Sequence, residues 1–233
     1  MLIYHIIMKV AFIFRGDNVR EEYPDKSRKY IDAIKCYNNW KLALFDDILA
    51  SGGSYDTVFI TYDSPKLDDI KALFNPVHIE TMPYRDQPDN FKKVLKFISD
   101  NKDKYDRFVI LRCDFMYKLR ITQWPKWFES GITLVNKDVH YPKQRLYSDI
   151  LFIIDSNISI DSLLQIQDSM FHYGTVHRFG SALESNNISF NLMYDDYYHL
   201  LGHPLYTVAS IQEEPGLEKY EDGVKVTDVS QWN

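Results

Sequence analysis

The residues that could carry chemistry are concentrated where apolar, β-rich segments end. The sharpest case is the end of the segment at 107–112, where the chain reads Arg112-Cys113-Asp114. Side chains two positions apart in an extended chain project on the same side, so Arg112 and Asp114 can act together. Asp114 could hold a divalent cation that bridges two phosphates, and Arg112 could hold a phosphate oxygen or orient Asp114 by a bidentate pair. A buried Arg–Asp ion pair at a strand end accounts for the same residues.

Two other predicted strand ends also carry polar side chains. Arg15 and Gly16 follow the first apolar segment, where the glycine would let a ligand approach the backbone and the arginine could lie against a base or a phosphate. A plain turn is the alternative at that position. Tyr62, Asp63 and Ser64 end the second segment; Asp63 or Ser64 is typical of a helix cap, and Tyr62 could stack on a base.

The composition of the 233 residues excludes several classes of protein. Hydrophobic residues make up 45% and aromatic residues 15% of the chain, which is far more apolar surface than a disordered segment carries. A net charge of −6 argues against long contacts with nucleic acid or anionic membrane, but it allows a small anionic ligand in a local basic pocket. Cys36 and Cys113 are too few for a disulfide scaffold and predict buried, reduced thiols. Residues 1–7 fit neither a signal peptide nor a membrane span.

Strands and helices must alternate over the first half to position these strand ends. The pattern predicts strands at 9–14, 57–62, 77–81 and 107–112, and helices at 27–49, 66–74 and 89–99, the last with Asp89 as its N-cap. Such βαβ units form a largely parallel sheet. Ligands of these sheets bind outside the carboxyl ends of the strands, which is where the polar residues stand.

The second half has a less regular pattern. It predicts strands at 132–135, 149–154 and 188–194, and helices at 160–170 and 174–186. No repeat and no flexible linker interrupts the chain, so a single domain is expected, with an irregular acidic tail from residue 212. The glycine-rich signatures of P-loop NTPases and dinucleotide oxidoreductases are missing from the sequence.

The order of these parts resembles a glycosyltransferase of the GT-A fold. An opening strand and loop, Phe14-Arg15-Gly16, is followed by a strand at 59–62 and then by YDRFVILRCDFMYK at 105–118. That last stretch is similar to a signature of glycosyltransferases from bacterial surface-polysaccharide clusters and large DNA viruses. Residues 147–152 look like the segment that opens the acceptor half of such proteins, and residues 195–206 look like their closing segment.

The resemblance covers most of residues 8–208 and implies a single α/β domain. Its sheet would be GT-A-type, that is Rossmann-like, mixed and mostly parallel, with flanking helices. Residues 8–118 would bind the nucleotide sugar and residues 119–211 the acceptor, ahead of the acidic tail at 212–233. The implied activity is transfer of a hexose, deoxyhexose or pentose from a nucleoside-diphosphate sugar to a glycan hydroxyl. The reduced cysteines predict a cytoplasmic location, in the cell or in the host cell of a virus, and the acidic net charge predicts no nucleic-acid partner.

The resemblance also implies a donor site and a cation. The residues expected to bind the nucleotide sugar are Phe14, Arg15, Gly16, Thr61, Tyr62, Arg112 and Asp114. A divalent metal, Mn²⁺ or Mg²⁺, would neutralise the diphosphate, with Asp114 as a ligand and His203 as a weaker candidate. The usual D-x-D motif reads Arg112-Cys113-Asp114 here, so only its second carboxylate is matched, and Arg112 could supply part of the positive charge.

A carboxylate must take the proton of the attacking hydroxyl if transfer inverts the anomeric centre. Asp149 is the candidate because it lies between Ser148 and an apolar strand at the start of the acceptor half; a strand-edge or capping carboxylate is the alternative. Asp196, with its neighbour Asp195, is the runner-up. Two other functions stay open: a non-catalytic nucleotide- or glycan-binding protein, because the D-x-D motif is incomplete, and a sugar-phosphate nucleotidyltransferase, although its glycine-rich signature is missing.

Overall fold

A computed structural model describes residues 8–20, 31–83, 86–138, 146–171, 175–195, 197–198, 203–208, 219–221 and 224–226. The strands of these regions are β1 (Lys9–Gly16), β2 (Val19–Arg20), β3 (Ile31–Asp32), β4 (Ser54–Tyr62), β5 (His78–Met82), β6 (Arg107–Arg112), β7 (Phe115–Tyr117), β8 (Ile132–Leu134), β9 (Lys137–Asp138), β10 (Leu151–Asp155), β11 (Asn191–Leu192), β12 (Tyr197–Tyr198), β13 (Tyr206–Val208), β14 (Lys219–Glu221) and β15 (Val224–Val226). The α-helices are α1 (Tyr37–Trp40), α2 (Asp46–Ala50), α3 (Leu67–Phe74), α4 (Gln87–Asn101), α5 (Ile160–Phe171) and α6 (Phe179–Ser185). Shorter helical turns are the 3-10 turns Ala33–Cys36, Ile121–Gln123 and Val176–Arg178 and the π turn Lys41–Phe45.

The centre of the fold is a seven-stranded sheet in the order β11-β8-β10-β6-β1-β4-β5. β1 pairs in parallel with β4 and β6, and β4 pairs in parallel with β5. β10 runs antiparallel to both of its neighbours, β6 and β8, while β11 is parallel to β8. The predicted fold class, a mixed and mostly parallel sheet flanked by helices in a single α/β domain, is confirmed.

The middle strands are apolar on both faces because helices cover both faces of the sheet. Along β1, Val10, Phe12 and Phe14 face one layer of the core, and Ala11 and Ile13 face the other. The helical segment that begins with the first 3-10 turn and ends with α2 covers the first layer, and α4, α5 and α6 cover the second. This two-sided burial explains why the strand sequences are almost continuously apolar rather than alternating.

Helix starts in the first half differ from the prediction. Of the helix predicted at 27–49, residues 27–30 lie outside the described residues and residues 31–32 form β3. The helical turns begin at Ala33, where the Asp32 carboxylate accepts the backbone N–H of Ile34 at 3.1 Å. Helix α4 begins at Gln87 instead of Asp89, because Asp86 is the N-cap and accepts the backbone N–H of Asp89 at 2.9 Å.

The cap predicted for α3 is also wrong. Neither Asp63 nor Ser64 caps α3, whose N-cap is Lys66 without a side-chain bond.

The second half contains shorter elements than the sequence predicts. Of the helix predicted at 174–186, residue 174 lies outside the described residues and the rest contains a 3-10 turn followed by α6. Of the strand predicted at 188–194, Asn191–Leu192 pairs in the sheet as β11. The tail is not wholly irregular, since β14 and β15 form an antiparallel pair. Cys36 and Cys113 are buried free thiols, as expected. No described helix is long and apolar enough to cross a membrane.

Candidate functional site

Two arginines stand side by side at the carboxyl ends of adjacent parallel strands. Arg15 of β1 is the register partner of Arg112, the last residue of β6. Asp149 lies just before β10, which begins at the edge where β6 ends because the two strands are antiparallel. The backbone N–H of Arg112 donates to the carbonyl of Ile150 at 3.1 Å and fixes this segment beside β6. The sheet thus brings together charges from both halves of the chain.

Asp149 is the centre of a buried charged network. Its side chain is 1% exposed, Oδ1 accepts from Arg112 Nη1 at 2.9 Å, and Oδ2 accepts from Arg15 Nη2 at 3.2 Å. The backbone carbonyl of Asp149 also accepts from Arg15 Nη2. Burial alone would raise the pKa of this carboxyl, but the positive charges of Arg112, His177 and Arg15 outweigh burial and hold the pKa well below its ordinary value. Asp149 is therefore ionised throughout the neutral range.

Asp114 is bound to Arg112 in bidentate geometry. Arg112 Nε donates to Asp114 Oδ1 at 2.9 Å, and Nη2 donates to Oδ2 at 2.5 Å. Burial lowers the pKa of the Arg112 guanidinium, but the negative charges of Asp114 and Asp149 more than offset burial and raise it above its ordinary value. The Arg112 side chain is 25% exposed, whereas that of Asp114 is 10% exposed. Arg112 is thus the member of this pair that solvent reaches more easily.

Arg15 is fixed inside the protein. Its side chain is 1% exposed, and its guanidinium carbon lies 5.7 Å from the ring centre of Phe91 and 5.8 Å from that of Phe152. Burial lowers the pKa of Arg15, and the adjacent Asp149 carboxylate opposes that effect. Arg15 therefore stabilises the Asp149 carboxylate from inside the protein, and its side chain presents almost no surface to a ligand.

His177 completes the network and was missed by the sequence analysis. Its Nδ1 lies 3.0 Å from Asp138 Oδ2 and 3.0 Å from the carbonyl oxygen of Tyr147, and its Nε2 lies 3.6 Å from Asp149 Oδ1. Burial lowers the pKa of His177, but the two carboxylates outweigh burial and raise it. A histidine inside a predicted helix gives no signal of a site, because its two carboxylate partners come from distant segments of the chain.

The other residues predicted to bind the donor lie around the carboxyl end of β1, and most of them are buried in the protein. Phe14 is fully buried in the core, stacked on Trp40 at 4.4 Å between ring centres, so its ring has no surface for a ligand. Thr61 is also buried, and its hydroxyl donates to the carbonyl of Gly16 at 2.7 Å. Gly16 has φ +85° with open space where a side chain would begin, and Tyr62 is 6% exposed. Of these four, only Gly16 faces open space.

The residues predicted to hold a cation do not form a metal site in the described part of the chain. No three His, Cys, Asp or Glu side chains there are grouped so that they could hold a metal ion. Both oxygens of Asp114 accept from Arg112. The His203 ring is fully buried, stacked on Tyr206 at 4.0 Å, and Nδ1 accepts the backbone N–H of Leu205; burial lowers its pKa to about 3. The described donors therefore do not fit a divalent cation.

The surroundings of Asp149 do not favour the role of a base. A carboxylate that is fully buried, paired with two arginines and lowered in pKa binds a proton weakly. The catalytic assignment of Asp149 stays a prediction. Of the runners-up, Asp195 is exposed and Asp196 lies outside the described residues.

A separate cavity lies between β5 and the end of α4. Its volume is about 500 Å³, and its lining includes Val77, Glu80, Lys93, Phe97 and Tyr105. None of its lining residues belongs to the charged network around Asp149.

Comparison with known proteins identifies the fold but no sequence family. No family model and no curated protein matches the chain. Among solved structures, a protein of Desulfovibrio desulfuricans G20 assigned as a nucleotide-diphospho-sugar transferase is similar with a TM-score of 0.50 and 12% identity, over 81% of this chain and 80% of that one. A Bacillus anthracis protein assigned as a glucose-1-phosphate thymidylyltransferase has a TM-score of 0.48 and 12% identity, over 87% of this chain and 90% of that one. Mouse xyloside xylosyltransferase 1 has a TM-score of 0.45 and 9% identity, over 79% of this chain and 84% of that one. The first likeness supports the same fold.

Proposed function

We propose that the protein is a glycosyltransferase that moves a sugar from a nucleoside-diphosphate sugar to an acceptor hydroxyl, as its resemblance to GT-A enzymes implies. The observation that carries the proposal is the in-register pair of Arg15 and Arg112 at the carboxyl ends of β1 and β6, with Asp114 and Asp149 beside them. Ligands of parallel sheets bind at this edge. The fold is also that of a protein assigned as a nucleotide-diphospho-sugar transferase.

The reaction places definite demands on this edge of the sheet. The acceptor oxygen bonds to the anomeric carbon, the bond from that carbon to the diphosphate breaks, and the leaving diphosphate takes the electron pair. The acceptor hydroxyl loses its proton to a base. Negative charge thus develops on the diphosphate, and a positioned arginine stabilises it. Arg112, 25% exposed against 1% for Arg15, is the more exposed arginine of the network and takes this role in the proposal.

The test is a panel of nucleotide sugars. Purified protein is incubated with uridine, guanosine and thymidine diphosphate sugars, and release of the free nucleoside diphosphate is followed with and without added glycans. One donor should be consumed, and Arg112→Gln should lower the rate strongly. Arg120→Gln is the matched control, because the Arg120 side chain is 29% exposed and contacts Asp47 outside the network. Absence of binding and of turnover for every donor would contradict the proposal.

A binding protein without catalysis is the second candidate. It is favoured by the burial and arginine pairing of Asp149, which leave the predicted base a poor proton acceptor. The same panel separates the two functions. Saturable binding of a donor, measured by thermal shift, with no turnover on any glycan would favour the binding protein.

A further inference from the structure

The position where the resemblance expects a metal-binding carboxylate is occupied by an arginine. Arg112 holds both oxygens of Asp114, at 2.9 Å and 2.5 Å. A divalent cation on Asp114 would lie about 2.0–2.6 Å from one of these oxygens and next to the guanidinium, where like charges repel. The cation and Arg112 therefore compete for the same carboxylate.

Arg112 keeps hydrogen-bond capacity for an anion. A guanidinium has five N–H donors, and Arg112 directs Nε, one N–H of Nη1 and one of Nη2 to carboxylates of the described residues. One N–H of Nη1 and one of Nη2 therefore remain without a carboxylate partner among the described residues, and these two donors can serve oxygens of a phosphate. With 25% of its side chain exposed, against 1% for Arg15, Arg112 is the arginine of the pair that a ligand can reach.

Building on the proposed function, we propose that the protein binds the diphosphate of its donor through Arg112 without a divalent cation, and that Asp114 positions the guanidinium instead of coordinating a metal. The charges of the network are consistent with this arrangement. Asp114 and Asp149 balance Arg15 and Arg112, so removal of one carboxylate charge leaves the site more positive. A metal ligand and a positioning carboxylate therefore respond in opposite ways to loss of the Asp114 charge.

The experiment is a calorimetric titration of the full chain with inorganic pyrophosphate, in EDTA and again in Mn²⁺. We expect binding in EDTA, with an affinity that Mn²⁺ leaves within about threefold after correction for the manganese–pyrophosphate complex. Asp114→Asn keeps one oxygen that can accept from Arg112 and removes a negative charge, so it should bind pyrophosphate in EDTA at least as tightly as the wild type. Arg112→Gln should bind about 10- to 100-fold more weakly, the loss of charge-assisted hydrogen bonds, while the Arg120→Gln control stays unchanged.

Opposite results overturn the inference. Binding that requires Mn²⁺ and is lost in Asp114→Asn would identify Asp114 as a metal ligand, and lack of pyrophosphate binding in either buffer would remove the site. A thermal melt shows whether each variant is folded, and Asp114→Asn decides the matter if Arg112→Gln does not fold. The proposed function is tested separately by donor turnover. Turnover that depends on Mn²⁺ would refute this inference but would still support the glycosyltransferase activity.

Discussion

Replacement of Asp149 by asparagine should destabilise the protein far more than loss of an ordinary ion pair. Both Asp149 and Arg15 are 1% exposed, and removing one partner of a buried pair costs about 3–5 kcal/mol because the other charge stays buried. Arg15 keeps its bond to the Asp149 carbonyl, and Arg112 keeps Asp114, so we expect the lower end of that range. For a chain of this length, about 3 kcal/mol lowers Tm by roughly 6–12 °C.

The measurement is thermal unfolding at neutral pH, followed by circular dichroism. The control is Asp100→Asn, which breaks a pair with Lys96 whose side chains are 55% and 71% exposed, and exposed pairs contribute less than about 1 kcal/mol. The double variant Arg15→Met/Asp149→Asn should melt above Asp149→Asn, because no unpaired buried guanidinium remains. If Asp149→Asn melts within about 2 °C of the wild type, or if the double variant is no more stable than the single one, the burial argument is refuted.

Three further predictions follow from local contacts. His177 has a raised pKa, so the stability lost in His177→Gln should be largest below about pH 6.5 and should shrink as the pH rises through the folded-state pKa; melts from about pH 5 to pH 9 measure this. In Gly180→Ala, the new methyl group would overlap the Tyr147 ring and should cost about 1–3 kcal/mol, measured by urea unfolding. Asn39 bonds the backbone N–H and carbonyl of Tyr117 at 2.7 and 2.9 Å, so Asn39→Ala should cost about 1–3 kcal/mol in the same assay.

The alternation of apolar segments was enough to predict the fold class. The segments predicted at 9–14, 57–62, 77–81 and 107–112 are separated by turn residues and match β1, β4, β5 and β6 to within three residues at either end. β1, β4 and β6 are central strands that are largely buried, whereas β5 is a mostly half-buried edge strand. The predicted helix boundaries are wrong where a side-chain hydrogen bond to the backbone sets the first residue of the helix. Asp86 starts α4 earlier than Asp89, and β3 replaces the first turn of the predicted long helix.

The candidate site was predictable in part. Spacing alone places Arg112 and Asp114 on one side of the chain, and the structure joins them in a bidentate pair. Asp149 was singled out only by its position before a strand, and its pairing with Arg15 depends on the order of strands in the sheet. No local pattern could reveal His177, because its partners Asp138 and Asp149 lie on other segments.

The ion pair of Arg15 and Asp149 also affects how the chain folds during its synthesis. The two residues are 134 positions apart, so Arg15 leaves the ribosome long before its partner has been translated. Until then the guanidinium stays hydrated, because burial without Asp149 is unfavourable. The carboxyl end of β1, with Arg15, can therefore become fully buried only after the second half of the chain has emerged. A nascent chain stalled before residue 149 should bury Arg15 incompletely and remain a substrate for chaperones.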